Sequence, residues 1–182
     1  MIDLRKVGGA LKAIVAAACV SGVFGCNFEM FFPPLDVVEQ VDLSRFVGTW
    51  YEVARYPNGF EEGCAGVTAE YAIRDSQSIT VKNTCIEGTL DGPTRTIEGY
   101  ATIADPQTNS KLNVVFFPPF GAPYWILELS PDYEWAVIGE PSRSFFWILS
   151  RTPTLDQAIL DGIISRMPEK GYDPSRLIYT PQ

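Results

Sequence analysis

Eight short runs rich in Val, Ile, Tyr, Phe, Trp and Thr succeed one another from Gly48 onward, and this rhythm constrains the fold more than any other feature of the chain. The runs are Thr49–Tyr56, Val67–Ile73, Ser78–Thr84, Thr96–Ile103, Lys111–Phe117, Pro123–Leu129, Trp135–Gly139 and Phe145–Arg151. Turn clusters such as Asn58-Gly59, Asp75-Ser76, Asp91-Gly92-Pro93, Asp105-Pro106, Pro118-Pro119 and Ser130-Pro131-Asp132 separate them. Short strands at such spacing with hairpin connections predict an all-β antiparallel sandwich or barrel. The period then changes. Leu155, Ala158, Ile159, Ile163 and Met167 recur at helical spacing behind a Thr154-x-x-Gln157 capping box, with Pro168 and Gly171 marking the end. A helix with one apolar face needs a surface to lie on, and the outside of the barrel is the candidate. Leu177–Thr180 is expected to add a short edge strand. Closing eight strands removes sheet edges and leaves an interior wide enough for side chains or one small ligand.

The chain of 182 residues contains no histidine. That excludes a Ser-His-Asp or Cys-His pair, an HExxH zinc site and His-ligated haem. With 14 Lys and Arg against 22 Asp and Glu, the net charge is −8, and no basic run is present to attract nucleic acid. No metal or other cofactor is expected. At the start, Arg5, Lys6 and Lys12 precede an apolar, small-residue stretch from Ala13 to Val20, too short after Lys12 for a spanning helix but fitting an export signal. Val23-Phe24-Gly25-Cys26 resembles the lipobox of bacterial lipoproteins, which implies acylation of Cys26 as the first mature residue; an ordinary signal peptide or an uncleaved anchor is the alternative. Residues 1–25 are therefore assigned to the signal, 26–42, with Pro33-Pro34, to a tether, and 43–182 to the barrel domain. Removing residues 1–25 takes away Arg5, Lys6, Lys12 and Asp3 and leaves a net charge of about −10. Asn27, rather than Asp, follows Cys26, and enteric-type sorting then favours the outer membrane, with a periplasmic or secreted protein as the alternative.

Export places the remaining cysteines, Cys64 and Cys85, in an oxidising compartment. The segment between them reads strand–turn–strand, and a hairpin returns its ends to neighbouring positions. A disulfide is expected, contributing roughly 3 kcal/mol through the entropy of loop closure. The alternative, a reactive thiol, needs an electropositive setting, and only Arg74 and Lys82 are near in sequence.

Gly48-Thr49-Trp50-Tyr51-Glu52 matches the GxWYE signature of the lipocalins; Asp132-Tyr133 and Arg151 fall at that family's second and third signature regions, in order. Ala122-Pro123-Tyr124-Trp125-Ile126-Leu127 resembles apolipoprotein D, and the phrase from Trp147 to Pro153 resembles the bacterial outer-membrane lipocalin. The resemblance covers residues 43–181. It implies an eight-stranded up-and-down barrel with a C-terminal helix outside and a ninth strand, and a cup that takes fatty acids, lysophospholipids or similar apolar molecules. It also implies that Trp50 plugs the closed end beneath Arg151, a cation–π contact worth about 0.5–2 kcal/mol.

Strand alternation, anchored on Trp50 and Arg151, directs Glu52, Ala54 and Tyr56 inward from the first strand and Leu149, Trp147 and Phe145 inward from the eighth. The resemblance to apolipoprotein D adds Tyr71 and Asn83 to Trp147 as cup-lining residues. Tyr71 brings Val67, Ala69 and Ile73 with it, and Asn83 brings Ile79 and Val81. On the fifth strand the uniform apolar row, Leu112, Val114 and Phe116, is placed inside. The expected ligand-binding set is therefore Tyr71, Asn83, Trp147, Tyr56, Phe116 and Val114, with Tyr71 and Asn83 available to a carboxylate or hydroxyl head. Glu52 inside the wall calls for a structural Glu–Arg or Glu–Tyr bond, Arg151 being the nearest expected cation. Phe60 and Phe120 sit on loops at the open end, where they guard the mouth, touch a membrane surface or are simply solvated. The chain is expected to be a non-catalytic binding protein, partnered by a small hydrophobic ligand and by the membrane through its acyl anchor. An enzyme acting on a lipid-like substrate, a filled-barrel interaction protein and a homodimer stay open as alternatives.

Overall fold

The computed structural model describes residues 34–182. Signal, lipobox and Cys26 lie outside the described residues. A one-turn helix α1 (Leu43–Phe46) precedes eight antiparallel strands: β1 (Gly48–Arg55), β2 (Cys64–Asp75), β3 (Ser78–Glu87), β4 (Thr94–Ile103), β5 (Lys111–Phe117), β6 (Phe120–Leu129), β7 (Trp135–Gly139) and β8 (Phe146–Ser150). Each strand pairs with the next, and β1 pairs with both β8 and β2, so the sheet closes into a barrel. Helix α2 (Gln157–Arg166) follows, and β9 (Ile178–Tyr179) adds to the outside of β1. Among the described residues no helix is long and apolar enough to cross a membrane.

The expected helix begins two residues later than its capping box suggests. Asp156, not Thr154, is the N-cap and accepts from the amides of Ala158 and Ile159. Its buried stripe is Leu160, Ile163 and Met167, while Ala158 faces solvent. This stripe packs on Leu127, Val137, Phe146 and Ile148, the outward residues of β6, β7 and β8. Pro168 turns the chain into a 3-10 segment, and Gly171 closes it at φ 81°, a left-handed conformation that favours glycine. Residues 34–42, read as tether, are irregular but not free. The Val38 amide donates to the Ile126 carbonyl and the Val41 amide to that of Thr108, and Leu35 and Val41 are buried.

α1 is the element that the apolar pattern did not announce. Asp42 caps it, accepting from the amide of Ser44. Phe46, fully buried, lies 5.2 Å from the Trp50 ring and 5.6 Å from the Tyr71 ring, and its carbonyl accepts from Trp50 Nε1 at 2.8 Å. Arg151 lies over the Trp50 ring at 3.8 Å and donates to the carbonyls of Thr49, Arg45, Phe46 and Tyr133. Gly48 permits this approach: a Cβ there would sit 3.2 Å from Arg151 Nη1, and its φ of 100° is unsuited to an L side chain. The barrel base of Trp50 and Arg151 is thus assembled as expected, with α1 as its third member. Cys64 and Cys85 are bonded, joining the outer ends of β2 and β3. Arg151→Leu removes the cation–π contact and strands several carbonyls; urea unfolding is expected to show a loss of at least about 2 kcal/mol, and an unchanged midpoint would remove Arg151 from this role.

Candidate functional site: a cup with a closed floor

Two side-chain populations divide the barrel by depth. Trp50, Ile79, Ala101, Leu112, Ile126 and Ala136 fill its lower half and are buried. Nearer the mouth Asn83, Val114, Phe116 and Trp147 are only partly buried, although they belong to the inward face. The interior is therefore packed at the base, while its upper wall stays partly accessible.

The expected cup residues distribute along this axis. Tyr71, paired in register with Gly48, sits at the floor, where its hydroxyl meets that of Tyr124 at 2.9 Å. Burial pushes the Tyr71 hydroxyl up to about 12 and that of Tyr124 well above its ordinary value, so both stay protonated at neutral pH. Asn83 stands at mid-height opposite Ala69, and its buried Oδ1 has no hydrogen-bond partner. Trp147 lies near the mouth, stacked beside Phe145 at 5.8 Å, with Phe60 at 6.3 Å. Leu112, Val114 and Phe116 face inward as expected. Ile73 departs from its row: it is 53% exposed, at the end of β2 beyond the wall.

Tyr56 is a correction. The register between β1 and β8 slips between Glu52 and Ala54, so that Val53 is a bulge. Every residue after it changes face. Ala54 and Tyr56 turn outward into the layer beneath α2, where Tyr56 packs on Phe146 and Tyr172 and its hydroxyl bonds the backbone of Asp173. Tyr56 is not a cup residue. Arg55 turns inward in its place and supplies the cation expected of Arg151: its Nη1 lies 3.5 Å from Glu52 Oε1 and its Nε 3.1 Å from Glu61 Oε2. Nη2 also donates to the Glu61 carbonyl at 3.0 Å.

Glu61 comes from the loop between β1 and β2 and folds into the mouth. It accepts from Asn58 and from Trp147 Nε1, so one buried carboxylate ties the loop to β8. The C-terminal residues complete the group: Thr180 donates to Glu52, and the Gln182 amide bonds the carbonyls of Glu52 and Val67, bridging β1 and β2 where they diverge. Arg55, Glu61, Tyr124 and Thr180 escaped the sequence reading; the one signal for Arg55 was a buried Glu52 in need of a cation. Among the described residues no cluster of three or more His, Cys, Asp or Glu gathers as metal ligands.

The lipocalin-like domain family matches residues 41–182. The chain belongs to that family. It is 39% identical over 146 residues to the outer membrane lipoprotein Blc of Vibrio cholerae, covering 80% of this chain and 85% of that one. It is 34% identical to the protein of that name from Escherichia coli K12, across 98% of this chain and 97% of the other. Mouse apolipoprotein D is 31% identical over 91% of this chain and 92% of its own. Among solved structures, insecticyanin from the tobacco hornworm superposes with a TM-score of 0.67 at 24% identity, covering 84% of this chain and 86% of that one, a likeness of fold. Lipocalins are known as binders of small hydrophobic molecules, and the barrel has the architecture that such binding uses.

Burial, aided by the adjoining Glu61 carboxylate, pushes the Glu52 carboxyl up to about 8, against Thr180 and Arg55, which pull it down. The unfolded chain releases this proton near the ordinary 4.5, whereas the folded protein holds it to about 8. Stability from this group is complete below 4.5, falls as pH rises through that window and levels off above it. Glu52→Gln, which stays neutral, is expected to remove that decline; denaturation midpoints of the parent should drop between pH 5 and pH 9 by the equivalent of a few kcal/mol more than those of the variant, on the order of the shift itself.

Proposed function

We propose that this lipocalin binds a fatty acid or lysophospholipid in its cup and stores or carries it at the bacterial envelope, held there by acylation at Cys26. The observation that carries this reading is the division of the barrel: a buried floor beneath an upper apolar wall that stays partly accessible. Val114, Phe116 and Trp147 offer that wall, and each ligand CH₂ they cover is worth about 0.8 kcal/mol, enough for an acyl chain to bind without dense polar contacts. The polar head then orients by Asn83, whose free Oδ1 needs a donor, and by the polar groups of the mouth. Tyr71, by contrast, has its hydroxyl engaged with Tyr124, so its part is to shape the floor. A carrier also fits the chemistry of the cup. Its ionisable groups are tyrosines, Arg55 and the two glutamates bound to it. The two Blc relatives, named as outer membrane lipoproteins, support the envelope location.

Native mass spectrometry of the protein from its own host should show a co-purifying acyl lipid. In solution, Trp147→Ala is expected to weaken a fluorescent fatty acid about tenfold, as loss of an aromatic wall costs, with the fold confirmed by circular dichroism. An empty barrel that also fails to bind fatty acids and lysophospholipids would sink the reading.

A further inference from the structure

Up-and-down connectivity brings the loops β1–β2, β3–β4, β5–β6 and β7–β8 to one end of the barrel, the open one. The exposed large apolar side chains gather there. Phe60 and Leu90 are 52% and 44% exposed on two of these loops, and Phe117 and Phe120 are 70% and 78% exposed on either side of the Pro118-Pro119 tip. Ile178, 41% exposed and paired with Arg55 at the end of β1, borders them. At the other end the turns are built on hydrogen-bonded aspartates, Asp75 and Asp105, and among the described residues Ile73 alone is a large exposed hydrophobe there. Scattered apolar residues need no explanation; a ring of them around one opening does.

The charges of this rim say what covers it. Its loops contain no lysine, and their arginine, Arg143, is buried and donates to the carbonyls of Lys170 and Pro141. Arg95, at the start of β4, is paired with Glu87 at 2.8 Å. Glu62 and Asp91 are exposed acids. Arg176, exposed and 4.2 Å over the Tyr56 ring, borders the rim without outweighing those acids. Such a rim has little to attract an anionic surface, but its phenyl groups can enter an uncharged interface. The chain outside the described residues adds a second argument. Leu35 packs in the layer that holds Tyr56 and Phe146, both at the open end of their strands, and Cys26 lies eight residues before Pro34, a reach of about 26–29 Å when extended. An acyl anchor at Cys26 and the rim can therefore meet one bilayer.

We infer that the open rim is a membrane-docking surface that inserts Phe117 and Phe120, with Phe60 and Leu90 beside them, into a zwitterionic lipid interface, so that ligand passes between bilayer and cup without crossing water. This rests on the proposed ligand carriage. Phe60 links the two, since it is exposed on the rim and also packs on Phe145 and Trp147 of the cup wall.

The test uses the full chain on phosphatidylcholine vesicles, some made with brominated acyl chains. Phe120→Trp is expected to add tryptophan fluorescence that the bromines quench, unchanged in 0.5 M salt, whereas Asp132→Trp at the opposite end adds none. The double variant Phe117→Ser/Phe120→Ser should slow transfer of a fluorescent fatty acid from vesicles at least fivefold while leaving its binding in vesicle-free solution unchanged. Equal quenching at both ends, quenching confined to phosphatidylglycerol and abolished by salt, or a rim buried by self-association that the double variant dissolves would each overturn the docking surface. Loss of binding in vesicle-free solution by the unaltered protein would instead count against ligand carriage itself.

Discussion

The closed end of the barrel hangs on one guanidinium. Arg151 covers the Trp50 ring and at the same time gathers carbonyls from α1, from β1 and from the turn before β7. Those carbonyls belong to parts of the chain more than a hundred residues from Arg151 as well as to its near neighbours, so the contact closes the barrel in sequence as well as in space. Because α1 is drawn across the base, Phe46 becomes the floor on which Tyr71 stacks. A cup with one opening follows from this, and so does the asymmetry of everything above it: solvent, ligand and partner can reach the interior only from the far end.

The single residue Val53 does the most to decide which groups line that interior. Alternation carried through β1 places Trp50 and Glu52 correctly and then fails, because a bulge adds one residue and inverts the face of all that follow. Composition cannot show a bulge. Arg55 and Tyr56 are equally compatible with either face until the register with β8 is known. On β8 no bulge intervenes, and there the alternating row Phe145, Trp147, Leu149 and Arg151 was legible from a single anchor. The uniform apolar row of β5 was legible for the same reason. Barrel class, strand count, disulfide and outer helix were legible because each rests on local pattern or on a short hairpin. The polar group at the mouth was not, since Glu52 and Arg55 of β1, Glu61 of the loop after it and Thr180 near the C-terminus come from three places whose meeting depends on the closed topology.

That polar group stands out against its setting. Two glutamates and one arginine are removed from water together, an arrangement whose desolvation cost can match or exceed its Coulombic gain and which keeps the Glu52 carboxyl protonated at neutral pH. Its contribution is better sought in position than in stability. Glu61 holds the β1–β2 loop down onto Trp147, and Thr180 and Gln182 bring the chain's last residues across the place where β1 and β2 part. The mouth is thereby given a fixed outline on two sides, and the aromatic wall of Phe145 and Trp147 is kept facing the opening.

The depth profile that results runs from hydroxyls satisfied by each other at the floor, through an apolar wall with one unsatisfied amide oxygen, to a charged and aromatic mouth ringed by exposed phenyl groups. A long apolar molecule with one polar end complements this order in one sense only. For the acyl ligand proposed above, the tail would find no unpaired polar atom at the floor, while the head would meet Asn83 or the groups of the mouth. If the cup takes such a ligand, as proposed, its selectivity would come from length and amphipathicity rather than from a dense set of directed hydrogen bonds, because an apolar wall rewards any added methylene until the chain reaches the floor.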